Sequence, residues 1–121
     1  MPEFILAASP AIESAFPGTR AVAFGHLGDG NVHFHVLAPQ GAERGVWEEA
    51  DGKAVSAAVH DLVTQWGGSI SAEHGIGQMK VDELARLHDP AALALMQRIK
   101  AALDPDNLLN PGKLLHAAPR S

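Results

Sequence analysis

The chain has 121 residues, of which 9 are Lys or Arg and 14 are Asp or Glu, so its formal charge is −5. This length suits a single domain, and a composition of 46% hydrophobic and 19% charged residues excludes global disorder. The acidic balance argues against a nucleic-acid partner, while the absence of cysteine excludes disulfides, thiolate nucleophiles and cysteine-based zinc sites.

The first part of the chain predicts a helix followed by a β-hairpin. Apolar residues recur at three- and four-residue steps over residues 2–16, although Ser9-Pro10 favours a kink or a break there. Two segments with alternating residues, 20–25 and 31–38, predict strands. The Asp29-Gly30 pair between them is typical of a two-residue hairpin turn, in which both turn residues have positive φ.

The rest of the chain predicts helices with one more short strand. An apolar stripe makes residues 46–66 a long amphipathic helix, and residues 69–71 follow as a short strand. Residues 81–87 predict a short helix, and Asp89-Pro90 supplies a cap and a first-turn proline for a helix that ends at Leu103. We therefore expect an α+β fold, in which a small antiparallel sheet, half of a ferredoxin-like arrangement, has helices packed on one face.

Histidines gather on one face of the predicted hairpin. With a two-residue turn, His26 lies directly opposite His33, and the same face carries Phe24 and His35. Two neutral imidazoles that meet across a hairpin make half of a metal site. The alternative is that they are strand histidines on a hydrated sheet face, each with its own hydrogen bond. A one-residue slip in register would also separate them.

A second cluster contains Glu73 and His74. Glu73 would complete a set of two histidines and one carboxylate with open coordination positions, and His74 is a candidate general base. Neighbouring side chains of an extended strand point to opposite faces, so both can serve one site only if the backbone turns, which Gly75 and Gly77 permit. The alternative interpretation is a Glu at a helix N-terminus next to a solvated loop histidine.

Three motifs, in this order, carry a resemblance to a known family. They are GHLGDGNVH at residues 25–33, SAEHGIG at residues 71–77, and a tail that runs from Leu103-Asp104-Pro105 to Asn110-Pro111-Gly112-Lys113. Together they resemble the C-terminal domain of FAD-linked oxidases of the vanillyl-alcohol-oxidase type, over nearly the whole chain. The branch that they resemble contains D-2-hydroxyglutarate dehydrogenase, D-lactate dehydrogenase and the D-subunit of glycolate oxidase.

The resemblance implies a flavoprotein dehydrogenase that oxidises a D-2-hydroxy acid to the 2-oxo acid. In that family a divalent metal, often zinc or manganese, is held by residues that match His26, His33 and Glu73, and it polarises the substrate's hydroxyl and carboxylate. The residue matching His74 takes the hydroxyl proton while the C2 hydride passes to the flavin. The resemblance also implies that Asn31 supports the substrate site and that Asn110 approaches the flavin ring.

Two departures from the family pattern concern the substrate and the extent of the chain. His35 stands where the hydroxyglutarate enzymes commonly have an Asn, and it would face the substrate carboxylate. The amino-terminal FAD-binding domain has no counterpart here. We therefore expect a C-terminal fragment, with residues 1–102 as part of the cap domain and 103–121 returning toward a FAD-binding domain in cis or in trans. We expect it to be inactive alone and prone to self-association, as a homo-oligomer, through an open sheet edge.

Two other functions stay open from the residues alone. One is a freestanding metal-binding module or metallohydrolase, in which metal-bound water attacks and His74 is the base. The other is a non-enzymatic subunit that completes the flavin site of another chain. No apolar run approaches the roughly 20 residues of a membrane span, and the amino end lacks the pattern of a secretory signal. We therefore expect a cytoplasmic protein with no transmembrane segment.

Overall fold

The computed structural model describes residues 1–117. The helices and strands follow in the order α1 (Pro2–Ala15), β1 (Arg20–His26), β2 (Asn31–Leu37), α2 (Lys53–Gln65), α3 (Val81–Leu87) and α4 (Pro90–Leu103). Over these residues, β1 and β2 pair as an antiparallel sheet of two strands, and the remaining regular structure is helical. The predicted α+β class is confirmed.

Helix α1 supplies most of the core around the sheet. Its buried residues Phe4, Ala8 and Ile12 are spaced four apart, which places them on one side of the helix. Pro10 removes one backbone hydrogen bond from the helix. The helix nevertheless continues through it, because the core contacts before and after Pro10 hold it in place. Phe4 meets the ring of Phe34 on β2 edge to face, with 6.0 Å between centroids.

The hairpin loop is longer than the sequence predicted. Both predicted strands are confirmed to within one residue, but residues 27–30 form the connection, and Leu27–Asp29 make a 3-10 turn. The predicted two-residue turn needs positive φ at both Asp29 and Gly30, and only Gly30 has it, at 67°. The two-residue turn was therefore wrong, and with it the pairing that it implied.

The observed register pairs His26 with Asn31 and Phe24 with His33. The predicted pairing of His26 with His33 is wrong by two residues, because the longer loop moves β2 along β1 by that amount. The strands approach closely just before the loop. A Cβ atom added at Gly25 would lie 2.2 Å from the carbonyl oxygen of Asn31, so only glycine fits there without a shift of the backbone.

The predicted long helix is confirmed in extent but is not uniform. The chain is helical from Val46 onward, Glu48–Gly52 form a π-helical turn, and the regular helix α2 follows and ends at Gln65. Helix α2 packs against α1, and Val55 is its buried residue. After the helix, Trp66 meets Phe4 edge to face at 6.0 Å, so one side of the indole packs on α1 while half of it stays exposed.

The short strand predicted over residues 69–71 is absent from the described chain. The hydroxyl of Ser69 donates to the carbonyl of Ser71 at 3.0 Å and accepts from the amide of Ser71 at 3.3 Å. When a serine side chain forms hydrogen bonds with the backbone of the residue two positions later, those backbone groups have an alternative to the hydrogen bonds of a sheet. The strand prediction was wrong because this local turn was not recognised.

Helices α3 and α4 agree with their predicted bounds. The Oδ1 atom of Asp89 accepts the amide hydrogen of Ala92 at 3.0 Å, which caps α4. Val81 and Leu84 are the buried residues of α3. After Leu103 the described tail contains turns and bends but no helix or strand.

Contacts divide the chain into two compact units, residues 1–72 and the residues from Glu73 onward. The first unit holds α1, the hairpin and α2, and the second holds α3, α4 and the tail. The predicted limits of a cap segment and a return segment, at residues 102 and 103, stay a prediction. Within residues 1–117, no helix has both the length and the apolar character that crossing a bilayer requires.

Candidate functional site

One face of the hairpin collects the imidazoles, as the sequence predicted. In the observed register, cross-strand partners are Val22 with His35, Phe24 with His33, and His26 with Asn31. Directly opposed residues point to the same side of a sheet, so these six side chains share one face. The register error of two residues leaves this face unchanged, because side chains alternate with a period of two.

The opposite face of the hairpin belongs to the core. Ala21, Ala23, Val32 and Val36 are half-buried there, and so is Phe34, whose ring packs on Phe4 of α1. The histidine face is more open, since His26, His35 and Phe24 are exposed and His33 is half-buried. The side chains that can bind a ligand therefore lie on the side of the sheet away from α1.

Phe24 organises two of the imidazoles. Its ring stacks on His33 with 5.1 Å between centroids and 12° between planes, and on His35 with 5.4 Å and 6°. Stacking in nearly parallel planes limits the rotamers of both histidines. The sequence placed Phe24 on this face but assigned it no contact with them.

His26 and His33 are diagonal neighbours instead of directly opposed residues. Diagonal pairs across an antiparallel sheet lie about 7–8 Å apart, a separation that long side chains still bridge. The hairpin therefore keeps the two histidines on one face, although they lie further apart than a directly opposed pair would. Over residues 1–117, no group of three or more His, Cys, Asp and Glu side chains is placed so that it could hold a metal ion. The predicted ligand set of His26, His33 and Glu73 stays a prediction.

Glu73 and His74 belong to the second unit and lie close to each other. The Nε2 atom of His74 is 3.8 Å from the Oε2 atom of Glu73, and His74 is the more exposed of the two, at 86% of its side chain against 38%. The glycines that follow, Gly75 with φ 71° and Gly77 with φ 59°, turn the backbone through left-handed conformations. Two adjacent side chains can therefore act on the same side of this loop.

Asn110 lies in the tail of the second unit and has left-handed backbone geometry, with φ 45°. It is exposed, and its carbonyl oxygen accepts the amide hydrogen of Lys113 at 3.3 Å, which closes the turn over Pro111 and Gly112. Asparagine tolerates this conformation better than most residues. The predicted flavin-facing residue thus stands at the start of a tight exposed turn.

A buried carboxylate that was not among the predicted site residues holds this tail together. Asp104 is 9% exposed and accepts hydrogen bonds from Lys100 and from the amides of Leu108 and Leu109. The Lys100 hydrogen bond, followed by those two amides, lowers the pKa of Asp104 from 3.8 to about 2. The signal was the spacing of four residues between a lysine in the last helical turn and an aspartate.

The tail makes one more contact that the sequence did not predict. The Nε2 atom of His116 lies 2.8 Å from Oδ1 of Asp82 on α3. Both side chains are largely exposed, so the pair adds little stability in water. It indicates that the end of the described chain lies along α3.

Comparison with known proteins shows the family to which the chain is similar. Residues 1–114 match the sequence model of the family described as FAD linked oxidases, C-terminal domain. The chain is 37% identical over 119 residues to a D-2-hydroxyglutarate dehydrogenase of Stutzerimonas stutzeri, which covers 97% of the chain and 25% of the relative. It is 42% identical over 125 residues to a D-2-hydroxyglutarate dehydrogenase of Xanthomonas citri, with 98% and 25% covered.

A third relative carries a different name. The chain is 42% identical over 98 residues to a D-lactate dehydrogenase of Archaeoglobus fulgidus, with 81% of the chain and 20% of the relative covered. The chain thus spans about a quarter of the length of the two hydroxyglutarate relatives and a fifth of the third. These relatives differ in the substrate that their names give.

Proposed function

We propose, because the chain belongs to the family of FAD linked oxidases, C-terminal domain, that it forms the substrate-binding part of a flavin-dependent dehydrogenase for a D-2-hydroxy acid. The observation that carries the proposal is the hairpin face on which His26, His33 and His35 share one side with Asn31. The names of the relatives bring lactate and 2-hydroxyglutarate into the substrate class, and glycolate is a smaller member of the same chemistry.

We further propose that His26, His33 and Glu73 hold a divalent metal, with zinc and manganese as the candidates. The donor types fit such an ion, since two imidazoles and a carboxylate leave coordination positions open for a substrate. The hairpin supports two of these three ligands by keeping both histidines on one face. When bound, the metal would polarise the hydroxyl and the carboxylate of the hydroxy acid.

His74 is the proposed general base. His74 would take the hydroxyl proton of the substrate on an imidazole nitrogen, and a flavin, when bound, would supply the acceptor for the C2 hydrogen and its electron pair, which leaves the 2-oxo acid. The carboxylate of Glu73, with its Oε2 atom 3.8 Å from Nε2 of His74, stabilises the imidazolium that results. The exposure of His74 lets a substrate reach it.

Asn31 and His35 are the proposed substrate contacts. Asn31 lies at the start of β2 opposite His26, so its amide can donate to and accept from a group bound at the histidine face. His35 lies further along the same face and stacks on Phe24, which holds its ring in one plane. In its protonated form His35 can bind the carboxylate of the substrate.

Asn110 is proposed to approach the flavin, which a FAD-binding domain in cis or in trans would hold. The surface around the tail supports a protein partner, since Leu103, Leu108 and Leu109 expose 80%, 76% and 67% of their area. Neighbouring exposed leucines of this kind mark a surface that another protein covers. A second copy of the chain is the alternative partner, and it would leave the chain without flavin.

The test of the proposed function is flavin reduction by the enzyme that contains this chain. With D-lactate, D-2-hydroxyglutarate or glycolate, we expect the flavin to bleach anaerobically, and we expect no turnover from the 121-residue chain alone. His74→Gln should lower kcat by about 10²–10⁴-fold, the usual contribution of a general base. His88→Gln, an exposed histidine at the end of α3, is the matched control and should leave kcat unchanged. Flavin that none of the three acids reduces would contradict the proposal.

A further inference from the structure

The tail after α4 is built around one buried carboxylate. Asp104 accepts the amide hydrogens of Leu108 and Leu109, each at 2.9 Å, and a hydrogen bond from the ammonium group of Lys100. Its own carbonyl accepts the amide hydrogen of Asn107 at 3.0 Å. Four donors therefore converge on one residue, which folds residues 104–109 into a closed turn at the end of the helix.

Lys100 ties the same turn a second time. Its ammonium group also donates to the carbonyl oxygen of Leu109, at 2.6 Å. Leu109 is thus held through its amide by Asp104 and through its carbonyl by Lys100. The residue directly before Asn110 is fixed to α4 at both of its backbone polar groups.

The far end of the tail is also held. The amide of Leu114 donates to the carbonyl oxygen of Gly77 at 2.7 Å, which joins the tail to the loop that carries Glu73 and His74. Leu114 adopts a left-handed backbone conformation, with φ 65°, which a leucine rarely takes. Strained geometry of this kind persists only where the surrounding structure holds it in place.

We propose that Asp104 is a positioning residue, which fixes Asn110 by holding the turn before it on α4. The inference rests on the proposed function in one respect, the approach of Asn110 to the flavin. The turn formed by residues 110–113 is anchored at Leu109 on one side and at Leu114 on the other, so it has little freedom of its own. The low pKa of Asp104 agrees with a carboxylate whose charge the fold requires.

Two substitutions separate the parts of this arrangement. Asp104→Asn keeps the size of the side chain, but its NH2 group donates where the carboxylate accepted, so one amide and Lys100 lose their acceptor. Lys100→Met keeps Asp104 and its two backbone amides and removes only the ammonium group. Lys100→Arg is the rescue variant, because a guanidinium can still reach the carboxylate. Asp106→Asn, an exposed aspartate in the same turn, is the matched control.

The first measurement is made by NMR on the chain itself. In Asp104→Asn, we expect the amides of Leu109 and Leu114 to exchange with solvent at least about tenfold faster, since the turn opens more often. The intraresidue NOE between HN and Hα of Asn110, which is strong at a positive φ, should weaken toward that of a flexible chain. Lys100→Met should give a smaller change of the same kind, and Asp106→Asn none. Unchanged exchange and NOE in both Asp104→Asn and Lys100→Met would overturn the proposal.

The second measurement uses the flavin-loaded enzyme. In Asp104→Asn, kcat for flavin reduction should fall about tenfold or more while the KM for the hydroxy acid is unchanged, because misplacing a group beside the reacting atoms costs rate without weakening binding. Lys100→Arg should retain kcat where Lys100→Met loses it. Altered NMR signals with unchanged kcat would overturn the positioning role toward flavin. If the parent enzyme reduces no flavin, the proposed function fails, and the amide exchange of Leu109 and Leu114 together with the NOE of Asn110 decides whether Asp104 holds the turn.

Discussion

Phe24 lies directly across the hairpin from His33, and the two rings stack with 5.1 Å between their centroids. The same phenylalanine stacks on His35, so one apolar ring sets the planes of two imidazoles on an exposed face. Phe24 is 58% exposed, and its ring lies nearly parallel to both imidazoles. We interpret it as the residue that restricts the histidines before any ligand arrives.

Replacing Phe24 with Leu removes both stacks while keeping an apolar side chain. A stacked aromatic pair contributes about 0.5–1.5 kcal/mol, so we expect zinc affinity to fall about two- to tenfold. Phe24→Tyr retains the ring and should retain the affinity. Calorimetric titration of the three proteins makes the comparison, and equal affinity in Phe24→Leu would show that the stack does not restrict the metal ligands.

The close approach of the strands at Gly25 predicts a large effect from one methyl group. Gly25→Ala places Cβ 2.2 Å from the carbonyl oxygen of Asn31, so the strands must separate, and we expect a loss of about 1–3 kcal/mol in the free energy of unfolding. Gly28→Ala is the control, since nothing lies within 4 Å of the added atom. That variant should stay within about 0.5 kcal/mol of wild type. Urea denaturation measures both, and similar stabilities of the two variants would refute the observed register.

Helix α1 offers a test of the core. Ile12 is 1% exposed and Leu6, on the same helix, is 75% exposed. Ile12→Ala leaves a cavity and should cost about 2–5 kcal/mol of unfolding free energy. Leu6→Ala removes a similar side chain from water and should change stability by less than about 0.5 kcal/mol. A comparable loss in both variants, measured by thermal unfolding, would mean that α1 does not pack as described.

The low pKa of Asp104 predicts how the tail responds to acid. Its carboxyl titrates at about 2 in the folded chain, against 3.8 for an ordinary aspartate, because Lys100 and two amides bind the charged form. The stability that Asp104 contributes is therefore complete above the ordinary value and is lost as the pH falls through about 2.

Lys100→Met should raise the pKa of Asp104, since the ammonium group is the largest cause of the shift. Carbon-13 NMR of the side-chain carboxyl during an acid titration measures both values. A wild-type carboxyl that titrates at its ordinary 3.8 would contradict the arrangement described for the tail.

Helices with clear periodicity and caps were predictable from the sequence. The bounds of α3 and α4 follow from the proline after Asp89 and from the apolar spacing, and the structure reproduces both. The hairpin strands were predictable too, because alternation needs no knowledge of the loop. The shared histidine face survived an incorrect turn for the same reason, as a shift of two residues leaves every side chain on its side.

Three features could not be obtained from local patterns. The loop at residues 27–30 depends on whether Asp29 takes positive φ, which Asp-Gly favours but does not impose. The bend at residues 69–71, where a strand was predicted, depends on a side-chain hydrogen bond of Ser69 that competes with strand pairing. The role of Asp104 depends on residues up to five positions later folding back onto it, which spacing alone does not reveal.

The most direct test of the account is the metal content and affinity of the purified chain. Elemental analysis followed by calorimetric titration with zinc and manganese should be made on wild type, His26→Ala, Glu73→Ala and the control His88→Ala. The account predicts that wild type and His88→Ala bind a single ion per chain, and that His26→Ala and Glu73→Ala lose it. Binding of equal strength in all four proteins, or in none, would contradict the proposed ligand set of His26, His33 and Glu73.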